Sequence, residues 1–266
     1  MKDILEELTA MRRADAAQRE ADIPFSVMLH RAKESPAPRD FAAAFAGDGI
    51  HVIAELKRAS PSEGMIREDF RPLELAAELE SAGAAALSVL CEPHRFLGSE
   101  DYLSAVRKAV RLPVLYKDFI STRYQVAAAR AAGADAVLLI AAVLDDDSLK
   151  ELLTFARGLG MEPLVETHDG EEIARAVGAG ARLVGVNCRN LRNFACDVSL
   201  LERLVGDIPR PCLRIAESGM HSPEALRRAK DAGADGFLVG TALMRAARPG
   251  LELKRLSSTT SIKENK

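Results

Sequence analysis

Short apolar runs alternate along this chain with longer stretches whose apolar residues recur at spacings of three and four. The runs are His51-Val-Ile-Ala54, Ala86-Leu-Ser-Val-Leu90, Val114-Leu-Tyr116, Ala136-Val-Leu-Leu-Ile140, Pro163-Leu-Val165, Leu183-Val-Gly-Val186, Leu213-Arg-Ile-Ala216 and Gly236-Phe-Leu-Val239. They lack strict alternation, as strands covered on both faces do, and they predict eight parallel strands at a spacing of about 25 residues. The intervening pattern predicts amphipathic helices over residues 72–80, 124–132, 147–158, 171–177, 199–205 and 223–232.

A repeat sharpens this picture. Ser81-Ala-Gly-Ala-Ala, Ala131-Ala-Gly-Ala-Asp, Gly178-Ala-Gly-Ala-Arg and Asp231-Ala-Gly-Ala-Asp recur roughly every 50 residues, each running straight into an apolar stretch. Each marks a helix end whose glycine takes the left-handed conformation before a buried strand begins. The predicted fold is an α/β, single-domain (β/α)8 TIM barrel with an N-terminal helical extension. The extension covers residues 1–48, with helices at 3–20 and 24–34 that cap the barrel or flank its mouth. The barrel covers 49–256, and a polar, frayed tail covers 257–266.

Composition narrows the function classes. A length of 266 residues and 48% hydrophobic content suit one large barrel. A net charge of -3, with Lys and Arg scattered, leaves no basic surface for nucleic acid, so the expected partner is a small anionic molecule. The longest apolar run is about half of what a bilayer span needs, and the acidic, amphipathic start is unlike a signal peptide. A soluble, cytoplasmic protein is expected, without membrane contact. Cys91, Cys188, Cys196 and Cys212 form no CxxC pair and read as reduced, partly buried thiols. The five histidines include no metal motif, and no glycine-rich nucleotide loop appears.

Barrel active sites lie at the carboxyl ends of the strands, so the residues that follow each run are the candidates. Glu55 and Lys57 follow the first run, Lys117 and Asp118 the third, Glu166 the fifth and Glu217 the seventh, whereas the even runs end mostly in small or apolar residues. Any one of these charges could simply be hydrated at a strand end. As a set they converge on one mouth. Lys117 and Glu166 sit in apolar surroundings, where burial and opposite charge together can poise an acid and a base. Ser218-Gly219 and Gly240-Thr241 end the last two strands, where barrels commonly hold phosphate on backbone N–H groups; the alternative is that the glycines only permit tight turns. Asn187-Cys188-Arg189-Asn190 could recognise hydroxyls and carboxylates, and Ser60-Pro-Ser62-Glu-Gly64 has the length of a flexible lid.

In order, Ile53-Ala-Glu-Leu-Lys-Arg-Ala-Ser-Pro-Ser62, Ser88-Val-Leu90 with Glu92-Pro93 and Phe96-Leu-Gly-Ser99, Leu115-Tyr-Lys-Asp-Phe-Ile120, Leu164-Val-Glu166, Gly185-Val-Asn-Cys-Arg-Asn-Leu191, Ala216-Glu-Ser-Gly219 and Phe237-Leu-Val-Gly240 resemble the strand-end motifs of the indole-3-glycerol phosphate synthase family. The resemblance implies a cofactor-free, metal-free ring closure of 1-(2-carboxyphenylamino)-1-deoxyribulose 5-phosphate, with loss of carbon dioxide and water. It implies Lys117 as general acid and Glu166 as general base, or as second acid in dehydration, with Glu55, Asn187 and Glu217 orienting hydroxyls and the acid. Lys57 and Arg189 would hold anionic groups, with Ser60 nearby. Phe96, Phe119 and Leu138 would sandwich the aromatic ring, and Ser218, Gly219, Gly240 and Thr241 would take the phosphate.

Cys91, Cys188, Asn190 and Tyr116 depart from residues common in the family; Tyr116 should point away from Lys117. Rival readings are a Schiff-base aldolase with Lys117 as nucleophile, a phosphoribosyl isomerase, or a barrel that binds a sugar phosphate without turnover. Borohydride trapping separates the aldolase, and an acid and base pair argues against mere binding. The expected assembly is a monomer or weak homodimer.

Overall fold

A computed structural model describes residues 4–189 and 197–258 of the chain. Eight strands close into a parallel barrel: β1 (Val52–Leu56), β2 (Ala86–Leu90), β3 (Val114–Lys117), β4 (Ala136–Ile140), β5 (Leu164–Thr167), β6 (Leu183–Asn187), β7 (Leu213–Glu217) and β8 (Gly236–Val239). Each pairs with its sequence neighbours, and β8 returns to β1 through Val52↔Phe237. The helices after these strands are α3 (Pro72–Ser81), α4 (Glu100–Ala109), α5 (Arg123–Ala131), α6 (Asp146–Gly158), α7 (Gly170–Gly178), α8 (Val198–Asp207), α9 (Pro223–Asp231), α10 (Thr241–Arg245) and α11 (Pro249–Leu256). The sequence pattern predicts no helix at α4; Ser99 caps it, its side chain accepting from the Asp101 N–H, and Leu103 and Val106 are its buried face.

The repeated glycines end helices as their spacing implies. Gly83, Gly133, Gly180 and Gly233 have φ of 95°, 99°, 90° and 104°. In each case the glycine N–H bonds the carbonyl three residues back, and the following alanine bonds the carbonyl five back, as in Gly133 to Arg130 and Ala134 to Ala129. That alanine is buried at every copy. Where aspartate follows, it ties the preceding strand: Asp135 accepts the N–H of Val114 at 2.8 Å and Asp235 that of Arg214 at 2.9 Å.

Because side chains alternate along a strand, the barrel has two cores. Val52, Ala54, Leu87, Val89, Val137 and Val184 face the helices, while Ile53, Leu115, Leu164, Ile215 and Leu238 fill the interior. The N-terminal segment divides among three tasks. α1 (Ile4–Asp22) lies at the mouth, where Ile4, Leu5 and Leu8 line the cavity; α2 (Phe25–Glu34) packs on α5; and Phe41 and Phe45 plug the floor. Gly236 makes room for that plug, since a Cβ there would sit 2.6 Å from the Phe45 ring. Among the described residues no helix is long and apolar enough to cross a membrane. The expected polar tail lies outside the described residues from position 259 onward, as do Asn190 and Cys196.

Candidate active site

The odd strands carry one interior layer of chemistry. Ile53, Leu115, Leu164 and Ile215 point into the barrel. Two residues further along the same strands stand Glu55, Lys117, Glu166 and Glu217, so the period of two delivers all four into the lumen at one level. The sequence placed these residues just after their strands, and the structure corrects this: the ladders continue through them, with Glu55↔Ser88, Leu90↔Lys117, Glu166↔Gly185 and Asn187↔Glu217 in register. A polar side chain in the lumen does not interrupt backbone pairing, which is why the apolar pattern ended earlier than the strand.

All the site residues expected from the sequence line a single cavity of about 440 Å³. At its centre the Lys117 amine donates to Glu166 Oε2 at 3.2 Å and lies 3.6 Å from Glu217 Oε2. Asn187 Nδ2 donates to Glu166 Oε1 at 3.1 Å, and Asn187 Oδ1 accepts from Ser218 Oγ at 2.7 Å and from the Arg189 N–H at 3.1 Å. Lys57 pairs with Glu55 at 2.8 Å. Burial on its own would strip charge from Lys117, Glu166 and Glu217, and their neighbours decide which keep it. Lys117 is discharged by burial but recharged by Glu166, Glu217 and Glu55, with the net effect that it holds its proton more firmly than an ordinary lysine. Burial likewise opposes ionisation of Glu166, yet Lys117, His168 and Asn187 outweigh it and keep the carboxylate ionised. Glu217 is pushed the other way, first by burial and then by the like charge of Glu166. Two buried carboxylates beside one ammonium thus diverge, Glu166 toward the ionised form and Glu217 toward the protonated one.

Two glycines, Gly185 within β6 and Gly240 just past the end of β8, make this crowding possible. A Cβ on Gly185 would overlap Glu217 Oε1 and come within 3.1 Å of its Cδ, and a Cβ on Gly240 would overlap Glu55 Oε2. Gly240 has φ of -120°, so a left-handed turn is not its reason. Gly219 does need one, at φ 71°, and Ser218 before it is also left-handed at φ 65°. Gly240 precedes α10 without capping it through a side chain, so the first N–H groups of that helix, with those at Ser218 and Gly219, border the cavity. On the opposite wall the Phe96 and Phe119 rings lie 6.0 Å apart and tilted by 42°, with Leu138 beside them.

The proposed lid is a tied hairpin. Ala59–Ser60 pairs antiparallel with Gly64–Met65, Glu63 forms an ion pair with Arg245 of α10, and Arg67 Nη1 donates to the carbonyls of Met244 and Ala246. Tyr116 points away from the cavity, as alternation requires, and its hydroxyl donates to Glu100 at 2.8 Å. Cys91 and Cys212 carry buried free thiols, but Cys188 is disulfide-bonded, which corrects the reading of all four cysteines as reduced. Bridging depends on backbone approach, which a search for motif spacing does not register.

Other features of the site go beyond what the sequence pattern predicts. The Asp118 carboxylate turns from the mouth to α1, where Arg12 holds it through Nε at 3.0 Å and Nη2 at 2.7 Å. The apolar side chains of α1 complete the cavity wall. His168 stands behind Glu166, 3.4 Å from Oε1; its place two residues after Glu166, just past the strand, is the available clue in the sequence.

A family model for indole-3-glycerol phosphate synthase matches residues 5–256. The chain is 44% identical to an indole-3-glycerol phosphate synthase of Campylobacter jejuni over 95% of this chain and 99% of that one, and 45% identical to one of Streptomyces griseus over 92% and 91%. Among solved structures, 3-hexulose-6-phosphate synthase from Salmonella typhimurium superposes with a TM-score of 0.63 at 16% identity, covering 78% of this chain and 97% of that one, which shows the barrel fold alone.

Proposed function

The chain belongs to the indole-3-glycerol phosphate synthase family, carboxy-lyases of tryptophan biosynthesis that act on 1-(2-carboxyphenylamino)-1-deoxyribulose 5-phosphate, and from this premise we propose how its side chains divide the reaction. The observation that supports the division best is the 3.2 Å contact of Lys117 with Glu166 inside one cavity that also holds the glycine turns.

The phosphate binds the N–H groups around Ser218, Gly219, Gly240 and Thr241, where backbone donors and the start of α10 favour an anion. The aromatic ring lies between Phe96, Phe119 and Leu138, and Lys57 and Arg189 take its carboxylate. The ring carbon that bears the carboxylate then bonds to the ketone carbon, whose electron pair moves to oxygen, and Lys117 delivers a proton to that oxygen. Carbon dioxide leaves, and its bonding pair restores the aromatic ring. The hydroxyl next departs as water with a second proton, while Glu166 removes a proton from the carbon beside nitrogen, which completes the indole. Decarboxylation consumes one proton net. Glu166 returns one to Lys117 across 3.2 Å, and Glu217, 3.6 Å from the same amine, passes on the other from solvent. Glu55 and Asn187 orient Lys57 and Glu166 respectively.

The test is to supply the carboxyphenylamino-deoxyribulose phosphate and follow indole fluorescence. Lys117→Ala should abolish turnover, and Glu166→Gln should lower kcat by about 10²–10⁴-fold, the span of general acid–base catalysis, with KM little changed. Near wild-type turnover by Lys117→Ala would overturn the assignment.

A further inference from the structure

β5 ends with Glu166 and Thr167; His168 follows directly, and α7 begins at Gly170 behind an Asp169 cap. Alternation sends Thr167 outward, where its hydroxyl donates to the Gly185 carbonyl at 2.7 Å, and leaves Glu166 and His168 on the same side. The first turn of α7 then reaches back. Asp169 accepts the Glu172 N–H at 2.8 Å, which fixes Glu172 so that its Oε2 meets the His168 N–H at 2.8 Å and His168 Nδ1 at 3.1 Å. The imidazole is thereby turned with Nε2 toward Glu166 Oε1, 3.4 Å away. This is an ion-pair separation, longer than a tight charge-assisted hydrogen bond.

We propose that His168 is a positioning residue, whose imidazole, gripped by Glu172, holds the Glu166 carboxylate ionised and aimed at the substrate. The inference rests on the reading of Glu166 as the base. Each ring nitrogen faces an acceptor-only carboxylate, so only the doubly protonated ring serves both contacts. Burial opposes that charge, but Glu166 and Glu172 outweigh it and push His168 up to about 10. Glu166 is also faced by Lys117 from β3, by the neutral Asn187 amide from β6 and by Glu217 from β7, while Glu55 on β1 acts on it through Lys117. Lys117 is the proton donor and gives up its charge during the cycle. His168 lies outside the cavity lining, so its charge persists and keeps Glu166 from remaining protonated while Lys117 is neutral.

The sign of the pH dependence follows. His168 is raised in the folded protein, so its support is complete below its pKa and is lost as pH rises through it. Glu172→Gln keeps an oxygen for the His168 N–H but removes one of the two raising charges. It should move the alkaline limb of the kcat–pH profile down by about 1–3 pH units, the usual effect of one nearby charge. His168→Gln should lower kcat at every pH and erase that limb. In the unmutated protein, ¹⁵N NMR of labelled histidine should show both His168 ring nitrogens protonated at pH 8. A Glu172→Gln profile with its alkaline limb unmoved, or a neutral His168 at pH 8, overturns the inference. Glu166→Gln, measured alongside, separates the two readings: if it stays fast, the base assignment fails, and if it is slow while the limb stays in place, only the role of His168 fails.

Discussion

Gly185→Ala places one methyl group where it meets the chemistry and little else. The new Cβ would overlap Glu217 Oε1, reach within 3.1 Å of its Cδ and make an ordinary 3.4 Å contact with Leu164. The backbone of β6 is paired on both sides and cannot yield, so the carboxylate must retreat by roughly 1 Å to restore van der Waals separation. Glu217 now lies 3.6 Å from Lys117, and a shift of that size at a reacting group costs about 10²-fold in rate. Overpacking should cost about 1–3 kcal/mol of stability, a fall in Tm of roughly 2–4 °C per kcal/mol in a chain of this size. Gly178→Ala is the control: a Cβ there meets nothing within 4 Å, and the position closes α7, so activity should be unchanged and Tm equal or higher. The assays are kcat/KM from indole fluorescence and thermal unfolding of both variants. A folded Gly185→Ala enzyme with kcat/KM within twofold of the original would refute both the placement of Glu217 in the machinery and the reason given for the glycine.

Arg12→Ala should strand the buried Asp118 carboxylate and cost about 3–5 kcal/mol, with kcat also reduced because Asp118 adjoins Lys117. Asp118 is already raised by burial despite Arg12, and without Arg12 it should rise further, so the folded variant binds more protons than the unfolded chain and its stability should fall as pH rises from 4 to 7; a pH-independent loss in denaturant melts would contradict this. Ser222→Ala removes the side chain that accepts the Ala225 N–H at the start of α9 and should cost about 0.5–2 kcal/mol with kcat/KM unchanged, checked by the same melts and assay.

Much of the barrel is legible in the sequence because its rules are local. The alanine–glycine–alanine repeat reports a helix end directly, since only glycine takes that φ without penalty, and the burial of the next alanine follows. Lys117 and Glu166 stand out because each charge interrupts an apolar run. Contacts between distant segments leave no such trace: Arg12 and Asp118 are 106 residues apart, and nothing in the spacing of α1 says which loop it will meet. His168 is illegible for a different reason. A lone histidine after a strand has many possible surroundings, and its partner Glu172 becomes visible only once Asp169 is known to start a helix.

The contrast between odd and even strands, seen first as charge at the ends of one set and small residues at the ends of the other, has a steric cause. Four inward side chains at one level leave no space for four more of similar size from the neighbouring strands. Glu55 lies against the turn that follows β8 and Glu217 against β6, and in both places a glycine, Gly240 and Gly185, faces the carboxylate. Either Cβ would drive its carboxylate away from the ammonium it contacts, Lys57 or Lys117. The buried acids can therefore sit close to those amines only because glycine stands at both facing positions. A barrel with the same charges and alanine at both positions would close but would not bring them into contact.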